Sequence, residues 1–349
     1  MRGFVIGIIL LTTIAANAQK FAPKDYSKLQ RQEDSMKVYG EKMINERTAL
    51  QRFLADSSFT KTLVRALKTP NSFHYPFDSL LTVSHIYAPD SSFRIITWQF
   101  TRDEDYYWQR GAIQMRTADG SLKLFPLHDV SNFTSAPQDS IRTGKNWIGC
   151  IYYGIVMKTI NERKFFTLLG FDDNNMRSSK KWIEVLYFDE MGNPQFGGPF
   201  FSIPSGNIRV GGGGRQARFV LEYKKDGKAR MNYDKELDMI MFDHLVSEDG
   251  KTDKPYTYVP DGDYQGFKWL GGKWVQVDKV FNQKLEDGQA PMPKPVKDID
   301  GKSNEQMLMQ QSEKNSKRPK ELPGNAPVKK QVLPPLTKPP PSKEKEESY

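Results

Sequence analysis

The stretch from residue 164 to residue 188, KFFTLLGFDDNNMRSSKKWIEVLYF, decides the fold class of this chain. Its two outer parts, KFFTLLGF and KKWIEVLYF, are short and rich in aromatic and β-branched residues, which is typical of β-strands. Between them, FDDNN carries aspartate and asparagine residues, whose side chains bond neighbouring backbone groups and favour turns. The stretch therefore predicts two strands joined by a polar connection.

The same pattern extends in both directions and predicts an all-β domain over residues 71–283. Short apolar segments of period two recur, among them FRIITWQF, GAIQMRT, IYYGIVMKTI, ARFVLEY and LDMIMFDHL. Turn signals such as Asn161-Glu162, Asp226-Gly227 and Gly271-Gly272 separate them. Strands that return through tight turns indicate an antiparallel meander. We expect it to form a sandwich, a barrel or an irregular propeller-like domain.

Residues 19–70 precede this domain and have the pattern of a helical segment. Apolar residues recur at every seventh position in its first part: Leu29, Met36, Met43 and Leu50. A second helix is expected to begin after Asp56 or Ser57, which are both common helix caps, and to end before Pro70.

The two ends of the chain differ from its middle. Residues 1–18 have a basic start, an apolar run and small residues at the end, which predicts a signal peptide cleaved between Ala18 and Gln19. We expect a mature chain without a transmembrane segment, located in the periplasm or secreted. Residues 284–349 hold eleven of the 22 prolines. This composition predicts a disordered Pro/Lys-rich tail. The tail is interpreted either as a solvated segment or spacer without a partner of its own, or as a ligand for an aromatic groove or an anionic polymer.

Charge and motif spacing exclude several classes of function. The net charge of +9 is spread along the chain without a basic face interleaved with aromatics, so we expect no nucleic-acid partner. The glycines in GNIRVGGGGRQARFV, residues 206–220, fit neither the Walker nor the dinucleotide spacing. They are interpreted as a mobile connection between strands. Cys150, the sole cysteine, is expected to be a small buried hydrophobic residue.

No catalytic residue, metal ligand or cofactor motif follows from the sequence. The four histidines lack the spacing of paired metal ligands. FDDNN at residues 171–175 and PDGDYQG at residues 260–266 lack the glutamate that ends a calcium loop. His244 lies next to Asp243 on a predicted strand, where adjacent side chains point to opposite faces, so a relay between these two is not expected.

Carboxylates close to aromatic residues are the remaining candidates for a binding site. Such groups suit the binding of sugars, or their hydrolysis by a pair of carboxylates. The same residue types equally suit a purely structural role, with the aromatic residues in a β core and the carboxylates in the turns at its edge. The candidates are Asp103, Asp105 and Trp108, with Tyr106 and Tyr107 beside them; Asp172, Asp173 and Asn174; and Asp261, Asp263, Tyr264 and Trp269. The sequence leaves open whether the DDNN and PDGDY segments share a cleft.

Three blocks of sequence carry a family resemblance. They are FHYPFDSLLTVSHIYAPDSSFRIITWQF, KFFTLLGFDDNNMRSSKKWIEVLYFDEMGNPQFGGPFF, and MIMFDHLVSEDG followed by YVPDGDYQGFKWLGGKWV. Over about residues 56–281 the chain resembles an uncharacterised family of exported all-β proteins from gram-negative bacteria. The resemblance implies an exported β protein and brings no activity, cofactor or catalytic residue with it.

Two hypotheses about function follow. The first is an exported envelope protein without enzymatic activity, which has a binding or structural role and an envelope protein or a glycan as its partner. The second is a module that binds or hydrolyses glycans with loop carboxylates beside aromatic residues.

Overall fold

Strands dominate the structure, a computed structural model that describes residues 21–102, 106–203, 216–251 and 253–281. These residues form fifteen β-strands in three sheets and two α-helices near the N-terminus. The expectation of a mainly β protein with an N-terminal helical segment is therefore confirmed.

The chain divides into two units, Met1–Asn282 and Gln283–Tyr349, and all of the described residues lie in the first. The predicted signal peptide, the glycines at 211–214 and the predicted tail lie outside the described residues. Neither described helix has the length and apolar character needed to cross a membrane.

The two helices are α1, Pro23–Asn45, and α2, Ala49–Leu67. Helix α2 begins after Thr48, whose hydroxyl accepts a hydrogen bond from the backbone N–H of Gln51 at 3.2 Å. The predicted start after Asp56 or Ser57 is therefore wrong. Asp56 lies inside α2, where its buried carboxylate accepts bonds from Trp98 at 2.9 Å and Arg110 at 2.7 Å.

The first sheet is antiparallel and has the order β1–β2–β3–β4. Its strands are β1, Ser84–Tyr87; β2, Phe93–Thr101; β3, Tyr107–Met115; and β4, Lys123–His128. Side chains alternate between the faces of a strand. Trp98 and Phe100 of β2 share a core with the two helices, whereas Phe93 and Ile95 of β2 share a core with the second sheet. The helical segment is thus packed onto the first sheet.

The second sheet contains the hairpin of residues 164–188 and has the order β5–β9–β8–β7–β6, with β11 also paired to β8. Its strands are β5, Arg142–Thr143; β6, Ile151–Ile160; β7, Arg163–Asp172; β8, Ser178–Phe188; β9, Pro194–Phe196; and β11, Arg218–Lys224. Leu168 and Trp182 face the first sheet, while Leu169 and Ile183 face the third. Both faces of this sheet are buried, which explains the nearly continuous apolar runs of β7 and β8.

The third sheet has the order β10–β15–β14–β13–β12, in which only the β10–β15 pair is parallel. Its strands are β10, Phe201–Ser202; β12, Met231–Asp234; β13, Met239–Ser247; β14, Tyr258–Leu270; and β15, Lys273–Val277. The segment PDGDYQG, considered above as a calcium loop, lies within β14. A register shift between Asp243 and Leu245 disturbs the pairing of β13 with this part of β14.

The layers are packed in the order helices, first sheet, second sheet and third sheet. Of the arrangements expected from the sequence, the sandwich is therefore the one observed. The predicted tight turns are confirmed where they are described. Between β6 and β7, Asn161 and Glu162 have φ values of 45° and 65°, as a two-residue hairpin of the primed type requires.

Candidate functional site

A small polar cavity lies between the first and second sheets. Its volume is about 140 Å³, which equals the share of about five water molecules in the liquid. Its walls come from β3, from the end of the β7–β8 hairpin and from residues 131–137, which follow β4. Polar side chains dominate the lining, among them Gln109, Ser131, Asn132, Asp172, Asn174 and Lys180.

Asp172 is the acidic group of this cavity. It ends β7 and is buried, and its Oδ1 accepts hydrogen bonds from the side-chain amide of Gln109 at 2.6 Å and the backbone N–H of Asn174 at 2.7 Å. Burial raises the pKa of Asp172 to about 6, although the bond from Asn174 and the charge of Lys180 favour the ionised form. The carboxyl group therefore changes its protonation close to neutral pH.

The connection between β7 and β8 is shaped by its own polar side chains, as the sequence indicates. Asn174 has a φ of 56°, in the left-handed region that asparagine adopts more readily than most residues. Its side-chain amide donates to the hydroxyl of Ser178 at 2.7 Å, and its Oδ1 accepts from Lys180 Nζ at 2.9 Å. Lys180 is thereby held at the cavity, and its Nζ also lies 3.9 Å from a carboxylate oxygen of Glu222.

Asp173 binds side chains on neighbouring elements. Its carboxylate accepts hydrogen bonds from Gln99 of β2 at 3.0 Å and from Lys225, which follows β11, at 2.8 Å. Lys225 Nζ also lies 4.9 Å from the ring centroid of Tyr107, which lines the cavity. Asp173 therefore positions the hairpin and one aromatic wall, while Asp172 and Asn174 form the wall itself.

A buried ion pair holds the chain segment that continues from the cavity wall. Arg218 of β11 donates to Glu184 of β8 at 3.0 Å, and both side chains are almost wholly buried. The same guanidinium group donates to the backbone carbonyls of Pro137 and Ser140. The wall segment is thus fixed to the central sheet through Arg218.

Two buried polar atoms at the cavity lack a partner. Gln109 and Trp182 both line it and are 2% and 3% exposed. Among the described residues, neither Oε1 of Gln109 nor Nε1 of Trp182 has a hydrogen-bond partner. A buried polar group without a bond costs about 1–3 kcal/mol. One of these atoms accepts hydrogen bonds and the other donates them, and hydroxyl groups do both.

The structure places the PDGDY candidates elsewhere, on the third sheet. Asp261 Oδ2 lies 2.7 Å from Nδ1 of His244 on the adjacent strand. Partial burial raises the pKa of Asp261, but the hydrogen bonds from His244 and from the backbone N–H of Asp263 outweigh it and hold this pKa below its usual value. None of these residues lines the cavity, so the DDNN and PDGDY segments do not share it.

The aromatic candidates outside the cavity are packed against other rings. Tyr264 contacts Phe281 with ring centroids 6.0 Å apart, and Trp269 contacts Trp274 at 5.1 Å. Trp108 packs against Phe53 of α2 at 5.0 Å, on the helix side of the first sheet. Asp103 and Asp105 lie outside the described residues.

Gln109, Trp182 and Lys180 are site residues that the sequence reasoning missed. For Lys180 a signal was present, because the hairpin pairs Asp172 with Lys180 and Gly170 with Trp182 across the DDNN connection. A hairpin centred on residue 176 therefore places Lys180 beside the predicted aspartate. Gln109 lies on another sheet, and no local pattern indicates it.

Larger recesses exist but lack such groups. One of about 530 Å³ is lined by Phe125, Pro126 and Pro194 among others, and one of about 550 Å³ lies near Tyr26 and Tyr75. Neither is lined by a buried polar atom that lacks a partner within the described residues. In the same part of the chain, no group of three or more His, Cys, Asp or Glu side chains is placed to hold a metal ion.

A scan against protein-family models, a search of curated proteins and a search of solved structures each returned no match to this chain. The site is therefore interpreted from its own geometry.

Proposed function

We propose that this chain is an exported, non-enzymatic protein that binds carbohydrate in the cavity between its first and second sheets. The basic and apolar pattern of residues 1–18 supports export. The resemblance to exported all-β proteins supports the same location. The polar lining of the cavity supports a ligand rich in hydroxyl groups.

One observation carries the proposal: Gln109 Oε1 and Trp182 Nε1 are an acceptor and a donor that are buried without partners on two facing sheets. Hydroxyl groups both donate and accept hydrogen bonds, so a ligand that carries several of them matches the chemistry of both atoms. An apolar ligand would leave both unpaired, and an anion would meet the Asp172 carboxylate. A sugar carries several hydroxyl groups on one small ring, so it also suits the ammonium group of Lys180, which can donate further bonds beside the one to Asn174.

The number of carboxyl groups at the cavity favours binding of a carbohydrate over its hydrolysis. Glycosidases generally use two carboxyl groups that flank the scissile bond. Asp172 is the one acidic side chain among the described residues that line the cavity. Hydrolysis remains the competing function, because Asp103 and Asp105 shortly precede Tyr107 in the chain. An assay for sugar products separates the two functions.

The proposal is tested by applying the purified protein to an array of mono- and oligosaccharides and titrating the best ligand by calorimetry. We expect saturable binding at one site without release of sugar products. Gln109→Leu should weaken this binding at least about tenfold, since one bond to a ligand hydroxyl is lost.

A matched control is Gln276→Leu. Gln276 is also buried, and neither polar atom of its amide has a partner among the described residues, but it lies on β15 and does not line the cavity. Its replacement should leave sugar binding unchanged. Absence of binding to every sugar on the array, equal losses in both variants, or release of products would each overturn the proposal.

A further inference from the structure

Asp172 is a buried acid of the cavity wall and has no basic partner in the described part of the chain. It is 5% exposed, and both of its hydrogen bonds from described residues, those from Gln109 and Asn174, are made to Oδ1 and none to Oδ2. The lysine at the cavity, Lys180, is bonded to Asn174 and pairs with Glu222 instead. Because buried charges in proteins are generally paired, Asp172 lacks the cation that its ionised form requires.

Gln109 contributes a second free acceptor next to this carboxylate. An amide that bonds to an ionised carboxylate donates through its nitrogen, so the 2.6 Å bond to Asp172 sets the orientation of the Gln109 side chain. The amide oxygen, Oε1, is then left without a partner among the described residues. An ammonium group has three N–H donors and no acceptor, so it matches an ionised and a neutral acceptor that lie side by side.

The charges around Asp172 also favour a cation. In the described part of the chain they come from four acids and two lysines: Asp129, Asp172, Asp173 and Glu222, and Lys180 and Lys225. Lys180 pairs with Glu222 and Lys225 with Asp173, which leaves two acids without an ion pair. Burial raises the pKa of the nearby Cys150 thiol well above its ordinary value, so this group stays neutral. The surroundings of the site are therefore negative on balance, and they attract a cation and repel an anion.

We propose that the ligand is an amino sugar, whose ammonium group binds the Asp172 carboxylate and Oε1 of Gln109 while its hydroxyl groups meet the remaining polar groups of the cavity. This inference rests on the proposed function and specifies the class of its carbohydrate. Nε1 of Trp182 supports the hydroxyl groups as the second feature of the ligand. This atom is a donor, and an ammonium group has no acceptor to offer it.

The preference for an amino sugar should depend on the ionisation of Asp172. Burial raises the pKa of Asp172 to about 6, and the charges of Asp129 and Asp173 act in the same direction. The carboxyl group is thus mostly ionised at pH 7 and mostly protonated at pH 5. The amine of an amino sugar carries its proton at both pH values, so the change in preference comes from the protein.

The test is calorimetric titration at pH 7 with glucose, glucosamine and N-acetylglucosamine, and with the corresponding three sugars of the galactose series. In the series that binds, the amino sugar should exceed the two neutral forms in affinity at least about tenfold, since a charge-assisted hydrogen bond is added. This preference should fall about fivefold at pH 5. Asp172→Asn should abolish it at pH 7, whereas Asp261→Asn, which alters an acid that does not line the cavity, should keep it.

The outcomes separate this inference from the function on which it rests. If no saccharide binds, or if cyclohexylamine, a ring amine without hydroxyl groups, binds as tightly as the amino sugar, the proposed function fails. If the neutral sugars bind as tightly as the amino sugars, or if Asp172→Asn keeps the preference, the amino-sugar inference is wrong and the carbohydrate site stands. An equal preference at pH 5 and pH 7 in the unaltered protein, which requires no variant to fold, would also contradict the inference.

Discussion

Asp172 combines burial with a carboxyl group whose pKa is raised to about 6. In the unfolded chain the pKa of this carboxyl group is about 3.9. Between about pH 4 and pH 6 the native state therefore binds more protons than the unfolded state. Stability therefore falls as the pH rises from about 4 to about 6, and it levels off above. Asp172→Asn removes the ionised form. We expect this variant to exceed the wild type in unfolding free energy at pH 8 by up to about 3 kcal/mol, and to match it near pH 4, as measured by urea denaturation.

The control for this prediction is Asp189→Asn, which should change stability in the opposite direction. Asp189 is partly exposed to solvent, and hydrogen bonds, led by that from the backbone N–H of Asn193, hold its pKa below the usual value. The ionised carboxylate of Asp189 therefore stabilises the native state at neutral pH, and this stabilisation is lost on acidification. If Asp172→Asn were destabilising at pH 8 and neutral at pH 4, the burial of an ionisable carboxyl at the cavity would be contradicted.

Cys150 is buried, and its Sγ leaves little space, since a Cβ added at Gly170 would approach it to 2.6 Å. Burial, together with repulsion from Glu184, raises the pKa of the thiol well above its ordinary value. We expect no reaction of the native protein with a thiol reagent at pH 8 and one thiol per chain after denaturation. Prompt labelling of the native protein would contradict the packing between the first two sheets.

At the scale of elements, the Arg218–Glu184 pair connects β11, β8 and the segment beside the cavity wall. Arg218→Leu leaves Glu184 buried without its cation, so a loss of about 3–5 kcal/mol is expected. Lys158→Leu breaks a more exposed pair with Asp238 and should cost at most about 1 kcal/mol. Guanidinium denaturation of both variants provides the comparison. Equal small losses would mean that Arg218 does not anchor the segment.

The sequence predicted most strands because their period of two and their turn residues are local properties. It placed the start of α2 wrongly, since Asp56 resembles a cap but is a buried partner of Trp98 and Arg110. It also treated residues 260–266 as a candidate loop. Their polar side chains fit the exposed middle of β14, and the pairing that makes them a strand is set by β13, which is distant in sequence.

At the scale of the whole molecule, the second sheet is the layer with both faces covered. Amides of β7 and β8 should therefore exchange their hydrogens only in the globally unfolded state, whereas β4 and β12, which lie at sheet edges, should exchange earlier through local opening. Hydrogen exchange followed by mass spectrometry measures this order. Faster exchange in β7 and β8 than in the edge strands would contradict the stacked arrangement.

The cavity shows how much of a site depends on this stacking. The sequence singled out Asp172, Asn174 and the aromatic Tyr107, because acids and aromatics are recognisable in isolation. It could not indicate that Gln109 of the first sheet and Trp182 of the second lie at one cavity without partners. That arrangement depends on how two sheets pack, which no spacing along the chain records.

The most direct test of the central claim, that the cavity binds carbohydrate, is a calorimetric comparison of Trp182→Phe with Trp274→Phe. Both variants remove an indole N–H from a buried ring. Nε1 of Trp182 has no partner within the described residues, whereas Nε1 of Trp274 donates to Thr167 at 2.8 Å. We predict that Trp182→Phe loses sugar affinity at least about tenfold, while Trp274→Phe keeps full affinity. Both variants lose packing because a buried ring becomes smaller, and Trp274→Phe should lose about 1–3 kcal/mol more stability because it also removes the hydrogen bond to Thr167. Unchanged sugar affinity in Trp182→Phe would contradict the account.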